Sequence, residues 1–145
     1  MLCIVRFFRK VVFYMILHQR FIELGEGYGD VYELCELIRT NRDRLHGTFI
    51  LSSSTPAGHA ISLAATFNPV STNHFMPIYI CREGIIQQGD VKSKRRILFE
   101  EAAASANSTP ATIELKHSSE FEERELFYHY VIGILRLNHL LPPLR

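Results

Sequence analysis

Apolar and polar positions alternate loosely over residues 19–24 (QRFIEL), which predicts a strand. From Asp30 the period lengthens: Val31, Leu34, Cys35, Ile38 and Leu45 share one helical face, predicting a helix over residues 30–46. Asp30 can cap it, with Glu33 completing a capping box, and Gly47 is placed to close it. Arg39, Arg42, Arg44 and His46 then fall in its last turns, where cations suit the helix dipole. Residues 48–54 and 60–67 are β-type apolar runs on either side of Thr55-Pro56-Ala57-Gly58-His59, the pattern of a hairpin. A third strand follows over residues 76–81, bounded by Arg82-Glu83-Gly84, with a loop reaching Lys92.

The helical period returns over residues 93–106, with Leu98, Phe99, Ala102, Ala103 and Ala106 on one side. An alternating strand follows at 111–116 (ATIELK). Ser119 and Glu122 form a second capping box, and the longest helix runs from there to Leu141, stopped by Pro142-Pro143. Leu126, Phe127, Tyr130, Val131, Ile134, Leu135 and Leu137 surround that helix, so it is predicted to be largely buried. Gly133 inside it costs about 1 kcal/mol relative to alanine, which predicts a close contact with the sheet. The order β-α-β-β-β-α-β-α gives an α/β (α+β) class: a mixed sheet of about five strands with helices packed on it, the last strand parallel to a neighbour.

The 145 residues suit one domain, and an apolar fraction of 47% with 21% charged residues is that of an ordinary globular chain. A formal charge of +1 argues against a nucleic-acid or membrane binder acting through its whole surface. Cys3, Cys35 and Cys81 are odd in number and form no C-x-x-C, which points to reduced thiols and a cytoplasmic location. The first 17 residues, MLCIVRFFRKVVFYMIL, are apolar but interrupted by Arg6, Arg9 and Lys10. They are too short and too charged for a membrane span and lack a cleavage site. The expectation is that the domain begins near Met15 and that residues 1–14 are an extension outside the native fold. A membrane-surface amphipathic segment is the alternative.

Gly25, Gly27 and Gly29 follow the first strand. Glycine-rich loops of kinases and dinucleotide-binding folds cradle phosphates, but both need G-x-G-x-x-G, and the spacing here is one residue short. The two readings are a tight strand-to-helix turn and a small-molecule or phosphate pocket built from Gly25, Gly27 and Gly29, with Arg82 and Glu83 at a strand end. Lys92, Lys94, Arg95 and Arg96 stand where a helix begins, against the usual preference for acids. An anion or a nucleic-acid backbone would relieve that conflict. Pairing with Glu100 and Glu101 on a solvated face is the simpler account. The seven histidines show no metal-ligand spacing, and neither a metal nor a cofactor is expected. Tyr28, Tyr32, Tyr79, Tyr128 and Tyr130 are candidates to line a pocket, but the Tyr-His-Tyr run at 128–130 on a buried helix reads more readily as core with polar tips, and Cys81 as a structural thiol more than a nucleophile. The helix–three strands–helix–strand order parallels restriction-endonuclease-like nucleases. Their metal-binding acids and lysine have no counterpart in FILSSS, AISLAATF and MPIYIC.

Three stretches, RFIELGEGYGDVYEL, PIYICREGI and ELFYHYVIGILRLNHLLPP, resemble a family of small uncharacterised proteins from Bacillus and related Firmicutes. Some of its members are labelled methylthioribose kinase, although the kinase motifs are missing from this chain. The resemblance implies no established substrate, cofactor or catalytic residue. The functional expectation is a non-catalytic module that binds a partner or self-associates as a homo-oligomer such as a homodimer, through sheet edges or the Tyr-rich helix. The alternatives are a ligand pocket or enzyme at the glycine turn and an anion contact through residues 92–96.

Overall fold

The computed structural model describes residues 18–24, 30–55, 58–70, 74–86, 93–115 and 124–142. Five strands, β1 (His18–Glu23), β2 (Leu45–Thr55), β3 (Gly58–Phe67), β4 (Phe75–Ile86) and β5 (Ala111–Leu115), form one sheet in the order β1-β4-β3-β2-β5. β1 is parallel to β4 and β2 to β5, while β3 runs antiparallel to both β4 and β2. Four strands therefore point the same way and β3 alone is reversed. Helix α1 (Asp30–Thr40) links β1 to β2, α2 (Lys94–Ser105) links β4 to β5, and α3 (Arg124–Leu137) follows β5.

Side-chain alternation gives the sheet two apolar faces. On one, Ile50, Ile61, Leu63, Ala65, Phe67 and Cys81 share a core with Val31, Leu34, Cys35 and Ile38 of α1 and with Phe99 and Ala102 of α2. On the other, Phe21, Phe49, Leu51, Met76, Ile78, Ile80 and Leu115 pack with Val131, Ile132 and Leu135 of α3. The result is three layers, with two helices above the sheet and one below, which is the expected mixed sheet with a parallel final strand. The buried polar residues among those described are three hydroxyls, each partnered. Thr48 meets Ser108 at 2.9 Å, Ser52 meets His59 Nδ1 at 3.5 Å, and Thr66 donates to the Pro77 carbonyl at 3.0 Å. Burying a hydroxyl without such a partner would cost on the order of 1–3 kcal/mol.

The boundaries depart from expectation in places. α1 ends at Thr40 instead of near His46, because Thr40 Oγ1 donates to the Glu36 carbonyl and Asn41 Nδ2 to that of Leu37. Short polar side chains of this kind compete with the helical ladder. A 3-10 turn (Arg42–Arg44) follows, so Leu45, His46 and Gly47 belong to β2, and Gly47 is not a helix cap. His46 is the extra residue of a bulge, since Leu45 pairs with Phe67 and Gly47 with Thr66. β4 does not stop at Arg82-Glu83-Gly84 but continues to Ile86. Ser119 and the remaining residues proposed for the second capping box lie outside the described residues, as do the side chain of Asp30 and residues 1–17.

α3 stops at Leu137, short of the two prolines. His139 is left-handed at φ 60°, its N–H bonds to Arg136 O, and Leu140 N–H reaches back to Leu135 O at 2.9 Å. Those bonds make a Schellman close with His139 at the left-handed position. α2 closes the same way at Asn107, φ 59°, with Ser108 N–H on Ala103 O. Asparagine tolerates that conformation and histidine less so. His139→Gly should therefore stabilise the protein by about 0.5–1 kcal/mol, read as a higher urea midpoint at unchanged slope. An unchanged or lower midpoint would refute the strain.

The expectation that α3 is largely buried is met on one stripe only. Val131, Ile132 and Leu135 are buried, Phe127, Tyr130 and Ile134 are half-buried, and Leu137 is 77% exposed. The close contact inferred from Gly133 is absent: a Cβ added there would meet nothing within 4 Å. Its glycine answers no crowding inside this chain.

Candidate functional site

Parallel topology sends the carboxyl ends of β1, β4, β2 and β5 to one edge of the sheet. Because α1 follows β1, α2 follows β4 and α3 follows β5, all three helix N-termini open at that same edge. In open α/β sheets this edge is where ligands bind, since strand ends and helix dipoles both face it. The first turn of α2, with Lys94, Arg95 and Arg96, and the ends of β1 and β4 are thus carried to one side of the molecule.

Gly25, Gly27 and Gly29 lie outside the described residues. Leu24 fixes where they begin: its N–H bonds to Ile80 O at 3.0 Å, continuing the parallel β1–β4 register. Two residues beyond Ile80, β4 carries Arg82, which pairs with Ser62 of β3. Ile61 then pairs with Gly84, so Glu83 is the extra residue of a second bulge. Bulges redirect the strand and gather beside functional edges. The side chains of Arg82 and Glu83 lie outside the described residues.

Lys92 also lies outside them. Ser93 caps α2, its Oγ accepting from Arg96 N–H at 3.1 Å, and the first turn carries Lys94, Arg95 and Arg96 with no acid. Lys94 is exposed, while Arg95 and Arg96 are half-buried. Arg96 Nε stands 3.7 Å from Glu100 Oε2 one turn later, a loose pair between two half-buried side chains.

α1 and α2 lie side by side. Burial pushes the Cys35 thiol upward, Arg39 opposes the shift, and Glu101 and Glu36 add to it. Both helices open at the carboxyl edge, and Glu101 of α2 is close enough to Cys35 of α1 to act on it. Cys35 and Cys81 are both buried free thiols, and a thiol held protonated by burial is a poor nucleophile.

One feature at this edge had no counterpart in the sequence reading. Ser52 is buried in β2, with His59 of β3 against its hydroxyl and Glu114 of β5 opposite it in register. The signal was the run Ser52-Ser53-Ser54, polar residues at positions an inner strand would fill with apolar ones. On the α3 side, Tyr128 stacks on Phe21 with centroids 4.5 Å apart and donates to Glu23 Oε1 at the end of β1. That is the polar-tipped core tyrosine expected of this helix. Tyr79 meets Phe67 edge-on, whereas Tyr32 is exposed. Among the described residues no three His, Cys, Asp or Glu side chains gather to hold a metal. Chemically, the edge offers helix N–H donors and guanidinium groups suited to an anion.

No helix of the described residues is long and apolar enough to cross a membrane. No curated protein and no solved structure matches the chain. A family model described as a domain of unknown function, DUF7147, matches residues 17–141, most of the chain that builds the sheet and its helices, and the protein belongs to that family.

Proposed function

We propose that the protein is a non-catalytic binding module that takes an anionic, phosphate-bearing ligand at the carboxyl edge of its sheet. The observation that supports this reading is Lys94, Arg95 and Arg96 on the opening turn of a capped helix whose first turn holds no acid. Helix N–H groups and guanidinium groups are the donors that an anion at this turn would use. Gly25, Gly27 and Gly29, next in the chain after β1, and Arg82 and Glu83 of β4 belong to the same proposal as sequence candidates. A reducing, cytosolic setting belongs to the same proposal and fits the free Cys35 and Cys81.

A thermal-shift screen with inorganic phosphate, nucleotides, sugar phosphates and RNA tests this. A ligand at 100 times its Kd should add about 2.7 kcal/mol of stability. That gain should vanish in the double variant Arg95→Glu, Arg96→Glu, and Gly27→Val tells whether the turn takes part. Steeply salt-dependent binding of RNA alone would name a nucleic-acid backbone as the anion. Silence towards every phosphate-bearing probe would sink the reading. Leu137, exposed on α3, favours self-association as the second reading.

A further inference from the structure

The helices α1, α2 and α3 end where the parallel strands begin, so the amino edge of the sheet gathers the close of α1, the 3-10 turn, the end of β3 and the close of α3. Hydrogen bonds tie these pieces into one rim. Arg44 donates from Nε and Nη2 to the Asn68 carbonyl at 3.1 and 3.0 Å, and His46 Nδ1 meets Asn68 Oδ1 at 3.2 Å. His46 Nε2 donates to the Leu140 carbonyl at 3.0 Å. The chain after β3 and the chain after α3 therefore meet the same imidazole. Two aliphatic side chains stand out of this rim. Val70, two residues beyond Asn68, is 51% exposed, and Leu137, three residues before Leu140, is 77% exposed.

Charge surrounds them with one sign. Arg39, Arg42, Arg44 and Arg136 face a single acid of the described residues at this rim, Asp43, for a net +3. Arg39 and Arg42 are exposed, while Arg44 and Arg136 bond to the neutral oxygens of Asn68 and Gln19. Helix dipoles account for Arg39 and Arg136, which close α1 and α3. Arg42, on the 3-10 turn, and the two aliphatic tips are left over. Basic side chains around protruding aliphatic ones suit an anionic lipid surface, where headgroups attract the arginines and the tips enter the boundary beneath. A nucleic-acid backbone would use the charge but give Val70 and Leu137 nothing to bury against.

We propose that the amino edge docks on an anionic phospholipid surface, with Arg39 and Arg42 against the headgroups and Val70 and Leu137 reaching below them. The contact is peripheral, since no helix of the described residues is long and apolar enough to cross. It is independent of the anion site at the carboxyl edge and gives Leu137 a role other than self-association.

Flotation of the full chain with vesicles gives the test, comparing phosphatidylcholine alone with phosphatidylcholine and phosphatidylserine in equal parts. The protein should follow the second and stay behind from the first, and added salt should release it. Arg39→Glu with Arg42→Glu should lower the partition by about tenfold or more. Val70→Asp with Leu137→Asp should lower it by about as much. All four residues are exposed, so melting temperatures should stay near wild type, which separates lost docking from lost folding. A chain that ignores phosphatidylserine would overturn the proposal. So would vesicle binding that survives both double variants, which would belong to another part of the chain. Binding that falls only with Arg95→Glu and Arg96→Glu would place the lipid at the carboxyl edge and overturn it equally. Duplex RNA bound through Arg39 and Arg42, with no need of the aliphatic pair and no vesicle binding, would make this edge a nucleic-acid surface instead.

Discussion

Phe99→Ala is expected to lower stability by about 3–5 kcal/mol, close to the upper end for a single core truncation. Phe99 is fully buried in α2, in the core shared with Leu34 and Ile38 of α1 and Leu63 of β3. The other buried residues of that helix are Ala102 and Ala103, which bring the helix close to its neighbours but contribute little apolar area. Phe99 is thus the large anchor of α2, and truncating it both loses transfer free energy and leaves a cavity the alanines cannot fill. Against a total of about 5–15 kcal/mol for a domain of this size, that is a third of the stability or more. Urea unfolding should show a much lower midpoint at similar slope. A loss below about 1 kcal/mol would mean that α2 is not anchored through this ring. Because α2 begins at the proposed anion edge, any ligand affinity measured there should fall with it.

The second large effect is a contrast between neighbours. Leu135→Ala should cost about 2–5 kcal/mol, and Leu137→Ala less than about 0.5 kcal/mol in the monomer. Leu135 is fully buried beneath the sheet with Val131, whereas Leu137 points away from it, 77% exposed. Leu135 also supplies the carbonyl that closes the helix, accepting from Leu140, but that bond is backbone and survives the substitution. Denaturant titrations at low protein concentration, where pairing of copies is negligible, would measure both. Equal costs would mean that α3 does not rest on the sheet through the stripe described above.

Much of the fold was legible because local signals agreed with the global pattern. The turn Thr55-Pro56-Ala57-Gly58-His59 separates two β-type runs, and β2 and β3 pair across it. Ser93 precedes a helical period and caps α2. The reading failed where two periods overlapped. Leu45 continues the apolar stripe of α1 in helical spacing, yet it pairs with Phe67 in the sheet. Thr40 and Asn41 had already closed the helix, and partnering with β3 outweighed an apolar coincidence. Arg82-Glu83-Gly84 read as the end of a strand because glycine and charge usually punctuate one. The partner strand β3 carries β4 onward and absorbs Glu83 as a bulge. For the site, the glycine turn and the cations were visible as separate candidates. That the start of α2 shares an edge with the ends of β1 and β4 was not, since it depends on β1 and β4 being parallel neighbours, a pairing between distant segments.

By itself the sequence determined the kinds of element, their order, and the stripes Val31–Leu34–Cys35–Ile38 and Leu98–Phe99–Ala102, because period and capping are properties of contiguous residues. Only the tertiary structure decided which side of α3 is covered, that Gly133 faces open space, and that α1 and α2 share one face of the sheet. A helix that is apolar nearly all round does not say which of its stripes will meet the sheet. That choice is made by the packing of side chains from strands far away in the chain.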